Sequence, residues 1–243
     1  MSNPPATEGL VVEQRGDVLE VTIDRGDENL LSMPMCETLT ELLRRPPAGS
    51  RIMRLRANGP NFCLGRDRGE RDPDALRHQA NMLIELNQAL QGGELVTVAE
   101  VTGGAAGFGV GLAALCDLSY ASPSAQFWFP EVNAGWAPSV VLAWLPRMVG
   151  RSQAFRLTAT GSRLDAEAAA GLGLITEVAK GDEDLSDLVE SEIAALLPHD
   201  SRTHHEIRSF LRDTASASVD QAYRLGVERL TLGVLRRLGS AGS

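Results

Sequence analysis

Apolar and polar residues alternate from Val18 to Asp24 (VLEVTID), the two-residue period of a half-buried strand. From Ser32 to Arg44 the spacing becomes helical, with Leu39, Leu42 and Leu43 facing inward and Pro46 and Pro47 ending the run. Arg51–Ala57 reads as a second strand, followed by a loop over Asn58–Asn61. Asp74–Gln91 is a predicted helix with Leu76, Met82, Leu83, Leu86 and Leu90 as its buried stripe. Leu95–Val101 is a third strand that runs directly into a glycine-rich stretch. Gly109–Leu115 is expected to be helical, and Asp117–Ala121 returns as a strand. After Pro138 the helical period dominates, over Pro138–Val149, Gln153–Thr160 and Asp165–Gly171, with a short strand at Leu174–Val178. Three further helices are predicted over Asp184–Leu197, Thr203–Thr214 and Val219–Leu238. Strands alternating with helices and then helices alone predict an α/β layered core with a helical annex.

Composition narrows the choice of partners. The 243 residues carry a net charge of −9, which argues against nucleic acid and against an anionic membrane surface. Lys180 is the one lysine among 23 basic residues, so side-chain contacts to phosphate would fall to arginine. No apolar run approaches the roughly 18 residues of a membrane span. Cys36, Cys63 and Cys116 have no metal-ligand spacing, and their odd number with no signal peptide predicts a reduced, cytoplasmic setting. His78, His199, His204 and His205 form no ligand set either, so no metal is expected.

Gly103, Gly104, Gly107, Gly109 and Gly111 put five glycines into nine positions. A dinucleotide fingerprint does not fit, because G-x-G-x-x-G spacing is absent across Gly107–Gly111, and no Gly-Lys-Ser/Thr exists for a phosphate loop. Close helix–strand packing accounts for some of them, Gly103 and Gly111 among the candidates. The remaining reading is a turn that exposes unscreened main-chain N–H groups to a developing oxyanion. A second such donor would come from the loop Asn61-Phe-Cys-Leu-Gly-Arg-Asp67, since loops after neighbouring strands converge at one sheet edge.

Four segments in order resemble the crotonase, or enoyl-CoA hydratase/isomerase, superfamily over about Val11–Leu238. They are Ile23–Ser32 with its Asn29-Leu-Leu turn, Phe62-Cys-Leu-Gly-Arg-Asp67, Thr102–Gly111 followed by Cys116-Asp117, and Phe127-Trp-Phe-Pro-Glu131 with Gly135. The resemblance implies a ββα spiral core over 1–185 and a C-terminal helical trimerisation region over 186–243. It implies a homotrimer or hexamer that binds acyl-CoA, with coenzyme A part of the substrate and no separate cofactor. Mapped here, the thioester oxygen would be held by the amides of Arg66 and Phe108, with Glu131 as acid/base. Arg25, Leu64, Gly65, Gly107, Gly109, Trp128, Trp136 and Ser139 are the expected substrate-binding positions.

The chain also departs from that pattern. The first of the two acids of hydratases falls on Gly111, leaving Glu131 alone. One carboxyl suits double-bond isomerisation better than addition of water. Glu28 stands where a basic residue would meet CoA phosphate, with Arg25, Arg66 and Arg68 as candidates to compensate. The chain stops at Ser243, near the start of the tail that commonly assists CoA binding. Ser139 reads as a helix cap, and the charged run Arg66–Asp72 as solvated surface. A non-catalytic partner subunit and an enzyme for a non-CoA carbonyl substrate remain open alternatives.

Overall fold

The computed structural model describes residues 7–240. Two antiparallel strands, β1 (Leu10–Arg15) and β2 (Val18–Ile23), lead into helix α1 (Met33–Arg44). Then come β3 (Ile52–Ala57), β4 (Asn61–Cys63) and α2 (Pro73–Gly92), followed by β5 (Val96–Val101), β6 (Gly104–Ala106) and α3 (Phe108–Ala114). The strands β7 (Leu118–Ala121) and β8 (Gln126–Trp128) precede a 3-10 turn over Pro130–Ala134. Short elements follow: α4 (Ser139–Leu142), α5 (Leu145–Val149), α6 (Arg151–Thr160), β9 (Leu164–Asp165), α7 (Ala166–Gly171) and β10 (Glu177–Val178). Helices α8 (Leu185–Leu196), α9 (Ser201–Thr214) and α10 (Val219–Ser240) end the chain.

Each turn of the spiral gives one strand to each of two sheets. The larger runs β1-β2-β3-β5-β7-β10 and is parallel from β2 onward; the smaller runs β4-β6-β8-β9. The central strand β5 is buried along its whole length, as parallel strands covered on both faces are. On one face Leu19, Val21 and Ile23 of β2 meet Leu39 and Leu43 of α1, Leu86 and Leu90 of α2, and Leu112 of α3. On the other face Val18, Ile52, Val98 and Tyr120 meet Val189 and Ile193 of α8. This α/β spiral is the expected crotonase-type core.

Contacts divide the chain into one unit through Asp200 and a second over Ser201–Ser243. Within the second, ion pairs Arg229–Asp213 (2.9 Å) and Arg236–Glu206 (2.6 Å) join α10 to α9. Among the described residues no helix is long and apolar enough to cross a membrane, and no cluster of three metal-ligating side chains occurs.

The structure corrects the local pattern at several points. Pro138–Val149 is two short helices, because Pro146 has no N–H to continue the first and instead opens α5. Leu76 is not part of the α2 stripe: it is 36% exposed, and the buried positions of α2 begin at Met82. The strands β1, β4, β6 and β8 carried no recognised pattern; the last three are only three residues long and exist through pairings such as Asn61 with Gly104.

Candidate active site

The loop after β4 is positioned by hydrogen bonds. Asn29, fully buried in the left-handed conformation (φ 47°), accepts from the Arg25 amide at 2.8 Å. Its Nδ2 donates to the Asn58 and Asn61 carbonyls at 2.7 Å each. Leu31 N–H donates to the Gly65 carbonyl (3.0 Å) and Asp67 N–H to the Leu31 carbonyl (2.9 Å). Main-chain groups alternate in direction along such a segment, so the Arg66 N–H between them points away from Leu31. The Cys63 thiol donates to the Gly65 carbonyl at 3.1 Å, and its burial pushes its pKa up to about 12. That thiol is a structural donor, not a nucleophile.

The turn after β6 is positioned by missing side chains. A Cβ on Gly103 would lie 1.8 Å from the Pro60 carbonyl oxygen, and one on Gly109 would lie 2.0 Å from the Cys63 carbonyl oxygen. These absences let the chain entering β6 pass against Pro60, just before β4, and let α3 rest directly on Cys63 at the end of β4. Gly107 has φ 53°, and its Cα faces the Glu131 carboxyl: an added Cβ would come within 2.5 Å of Oε1. Phe108 follows as the first residue of α3, where an N–H has no intrahelical acceptor.

Gly65, Arg66, Phe108 and Glu131 all line one cavity of about 200 Å³, together with Arg68, Trp136 and Ser139. Apolar side chains from α2 and α4 (Ala80, Leu83, Val140, Val141) complete much of its wall. Glu131 is the one carboxylate among the described residues that line it. Its Oε2 is buried without a hydrogen-bond partner, and burial raises its pKa despite the opposing charge of Arg68. A carboxyl held in this way keeps its proton to higher pH than an exposed one and can pass it to a ligand in the cavity.

At Gly111 the space beside the missing side chain is taken up by Trp144. The buried ring of Trp144 stands 3.3 Å from where a Cβ would be. Gly107 and Gly109 shape the site from behind its lining. Arg25, Leu64 and Trp128 do not line the cavity. Arg25 is paired with Asp67 at 2.8 Å, Leu64 packs toward Gly104, and Arg163 stacks over Trp128 at 4.0 Å. Ser139 reaches the cavity but is not a helix cap. Pro138 occupies that position, and the Ser139 hydroxyl donates to the Ala137 carbonyl at 3.4 Å. Sequence reasoning missed Ala80, Val140 and Val141, and Leu83 registered only as core. Arg68 was visible as a charge within a run read as solvated, and its approach to Trp136 (5.8 Å) had no local signal.

A family model described as enoyl-CoA hydratase/isomerase matches residues 13–228. The chain belongs to that family. It is 34% identical over 176 residues to a probable enoyl-CoA hydratase from Rhodobacter capsulatus, covering 70% of this chain and 65% of that protein. An enoyl-CoA isomerase/hydratase from Mycosarcoma maydis is 38% identical over 136 residues, covering 54% and 50% of the two chains. The matches thus span about half to two thirds of these relatives' own length. Among solved structures, a putative enoyl-CoA hydratase from Thermobifida fusca in complex with CoA superposes with a TM-score of 0.87. It is 25% identical and covers 98% of this chain and 99% of that one.

Proposed function

We propose that this family member is an acyl-CoA enzyme that stabilises a thioester enolate, with Glu131 as its single acid/base. The observation that carries this is the Glu131 carboxyl, packed on Gly107 with its buried Oε2 lacking a hydrogen-bond partner, in one cavity with Arg66 and Phe108. The amides of Arg66 and Phe108 are the donors for the thioester oxygen. A positioned donor of that kind is worth roughly 100- to 1000-fold in rate.

The favoured reaction is double-bond isomerisation. Ionised Glu131 removes the α-proton of a β,γ-unsaturated thioester, or the γ-proton of its α,β-isomer, and the electron pair passes to the carbonyl oxygen as a dienolate. Glu131 then returns the proton to the other end of the allylic system, so that no atom is gained or lost. Trp144 in the space beside Gly111 supports one carboxyl and disfavours a second group to orient water. Hydration is the nearest alternative, supported by the names of the relatives. Exposed apolar side chains of α9 and α10, Leu211, Tyr223, Leu230 and Leu235 among them, support the expected self-association.

Glu131→Gln tests the reading. It should retain acyl-CoA binding by calorimetry while losing deuterium incorporation from D2O into the bound ester, followed by NMR. Equal exchange in both proteins would remove Glu131 from the chemistry.

A further inference from the structure

The cavity that holds Glu131 also holds two arginines; among the described residues neither makes an ion pair, and one of them is half-buried. Arg66 is half-buried; its Nη1 donates to the Asp67 main-chain carbonyl at 3.1 Å and lies 3.5 Å from Gln79 Oε1. The adjacent carboxylate, Asp67, is turned to Arg25 instead. Among the described residues Arg66 makes no ion pair, and its charge is further opposed by burial and by Arg68 nearby. Arg68 is exposed, approaches the Trp136 ring and acts electrostatically on Glu131. A guanidinium withdrawn from water is costly unless an anion meets it. The lining that remains is largely apolar, so the missing anion has to arrive with the ligand.

The position of Arg66 restricts where that anion sits. Its amide is the donor assigned to the thioester oxygen, and its side chain lines the same cavity. An acyl group anchored at that amide reaches the guanidinium within one arginine side chain's length. We infer that the acyl group carries a terminal carboxylate bound by Arg66, so that the substrate is a short-chain dicarboxylic acyl thioester. This rests on the enolate reading and adds to it the class of acyl group. A planar guanidinium matches a carboxylate through paired N–H donors, which a lysine could not reproduce.

A CoA phosphate would offer similar anionic chemistry, and thioesters of N-acetylcysteamine, which lack phosphate, separate the two sources. The test compares trans-2-hexenedioyl with trans-2-hexenoyl thioesters, each as the CoA and the N-acetylcysteamine ester. The native protein and Arg66→Gln, which keeps the main-chain amide, are measured for Kd by calorimetry and for deuterium incorporation by NMR. The native protein should bind the dicarboxylic ester about 10- to 100-fold more tightly in both series, the worth of one charge-assisted hydrogen-bonding pair. In Arg66→Gln the ratio should fall to near one. Arg66→Lys, a second variant should the first fold poorly, should give an intermediate ratio. Equal binding of the two esters, or a dependence on Arg66 confined to the CoA series, would overturn the inference. Arg66-dependent preference without deuterium incorporation would uphold it and sink the enolate reading. Incorporation into both esters without preference would do the reverse.

Discussion

Two regions of this molecule take charge out of water, and they treat it in opposite ways. On the larger sheet, Arg54 of β3 is 3% exposed and surrounded. Its Nε donates to Glu100 of β5 at 2.7 Å, its Nη2 to Ser186 at 2.8 Å, and its Nη1 lies 3.5 Å from both Glu20 and Glu190. In the cavity, Glu131 is only half-buried as a residue, but its Oε2 is sealed from water and has no hydrogen-bond partner. The first arrangement ties three strands and a helix together and leaves nothing unmet. The second keeps a carboxyl uncommitted where a ligand can reach it. Buried polar groups are normally paired, so an exception in a cavity marks chemistry where a satisfied cluster marks architecture.

The comparison is broken most severely by Arg54→Ala. It strands Glu100 and Glu20 without a cation, and should cost about 3–5 kcal/mol in urea denaturation at neutral pH.

Gly107→Ala probes the other side. The new methyl group meets Glu131 Oε1 and forces a non-glycine residue into φ 53°, at a stability cost of about 1–3 kcal/mol. Because it displaces the carboxyl from the turn that offers the Phe108 amide, exchange activity should fall by about 100-fold or more. A variant with reduced stability and undiminished exchange would show that Glu131 does not depend on that turn.

The smallest effect distinguishes the regions most sharply. Burial raises the Glu131 pKa above its unfolded value, so its ionisation opposes folding above the unfolded pKa and has no effect below it. Glu131→Gln should thus raise Tm slightly at pH 8 in thermal denaturation, with the gain vanishing under acidic conditions. A fall in Tm at pH 8 would place Glu131 with Arg54, as a structural charge.

Long, periodic elements were legible before any coordinates. The strands β2, β3, β5 and β7 and the helices α1 and α2 lie within about two residues of their predicted ends, because each is an apolar or regularly patterned run bounded by polar, glycine or proline residues. The glycine turn and the Phe62–Asp67 loop were also legible, since five glycines in nine residues have few physical explanations. What the cavity brings to those loops was not. Ala80 and Val141 have ordinary local roles in helices, and Trp144 lies more than thirty residues from Gly111, whose neighbouring space it fills. Arg25 and Trp128 were plausible ligand contacts until Asp67 and Arg163 proved to occupy them.

The amino-acid order alone determined the long strands and helices and the residues able to offer unscreened amides, because periodicity and glycine content act over a few positions. Only the tertiary structure decided that Glu131 Oε2 is buried without a hydrogen-bond partner and that Arg66 lacks an anion. Whether a charge is satisfied depends on groups distant in the chain, and three-dimensional packing alone brings them close or keeps them away.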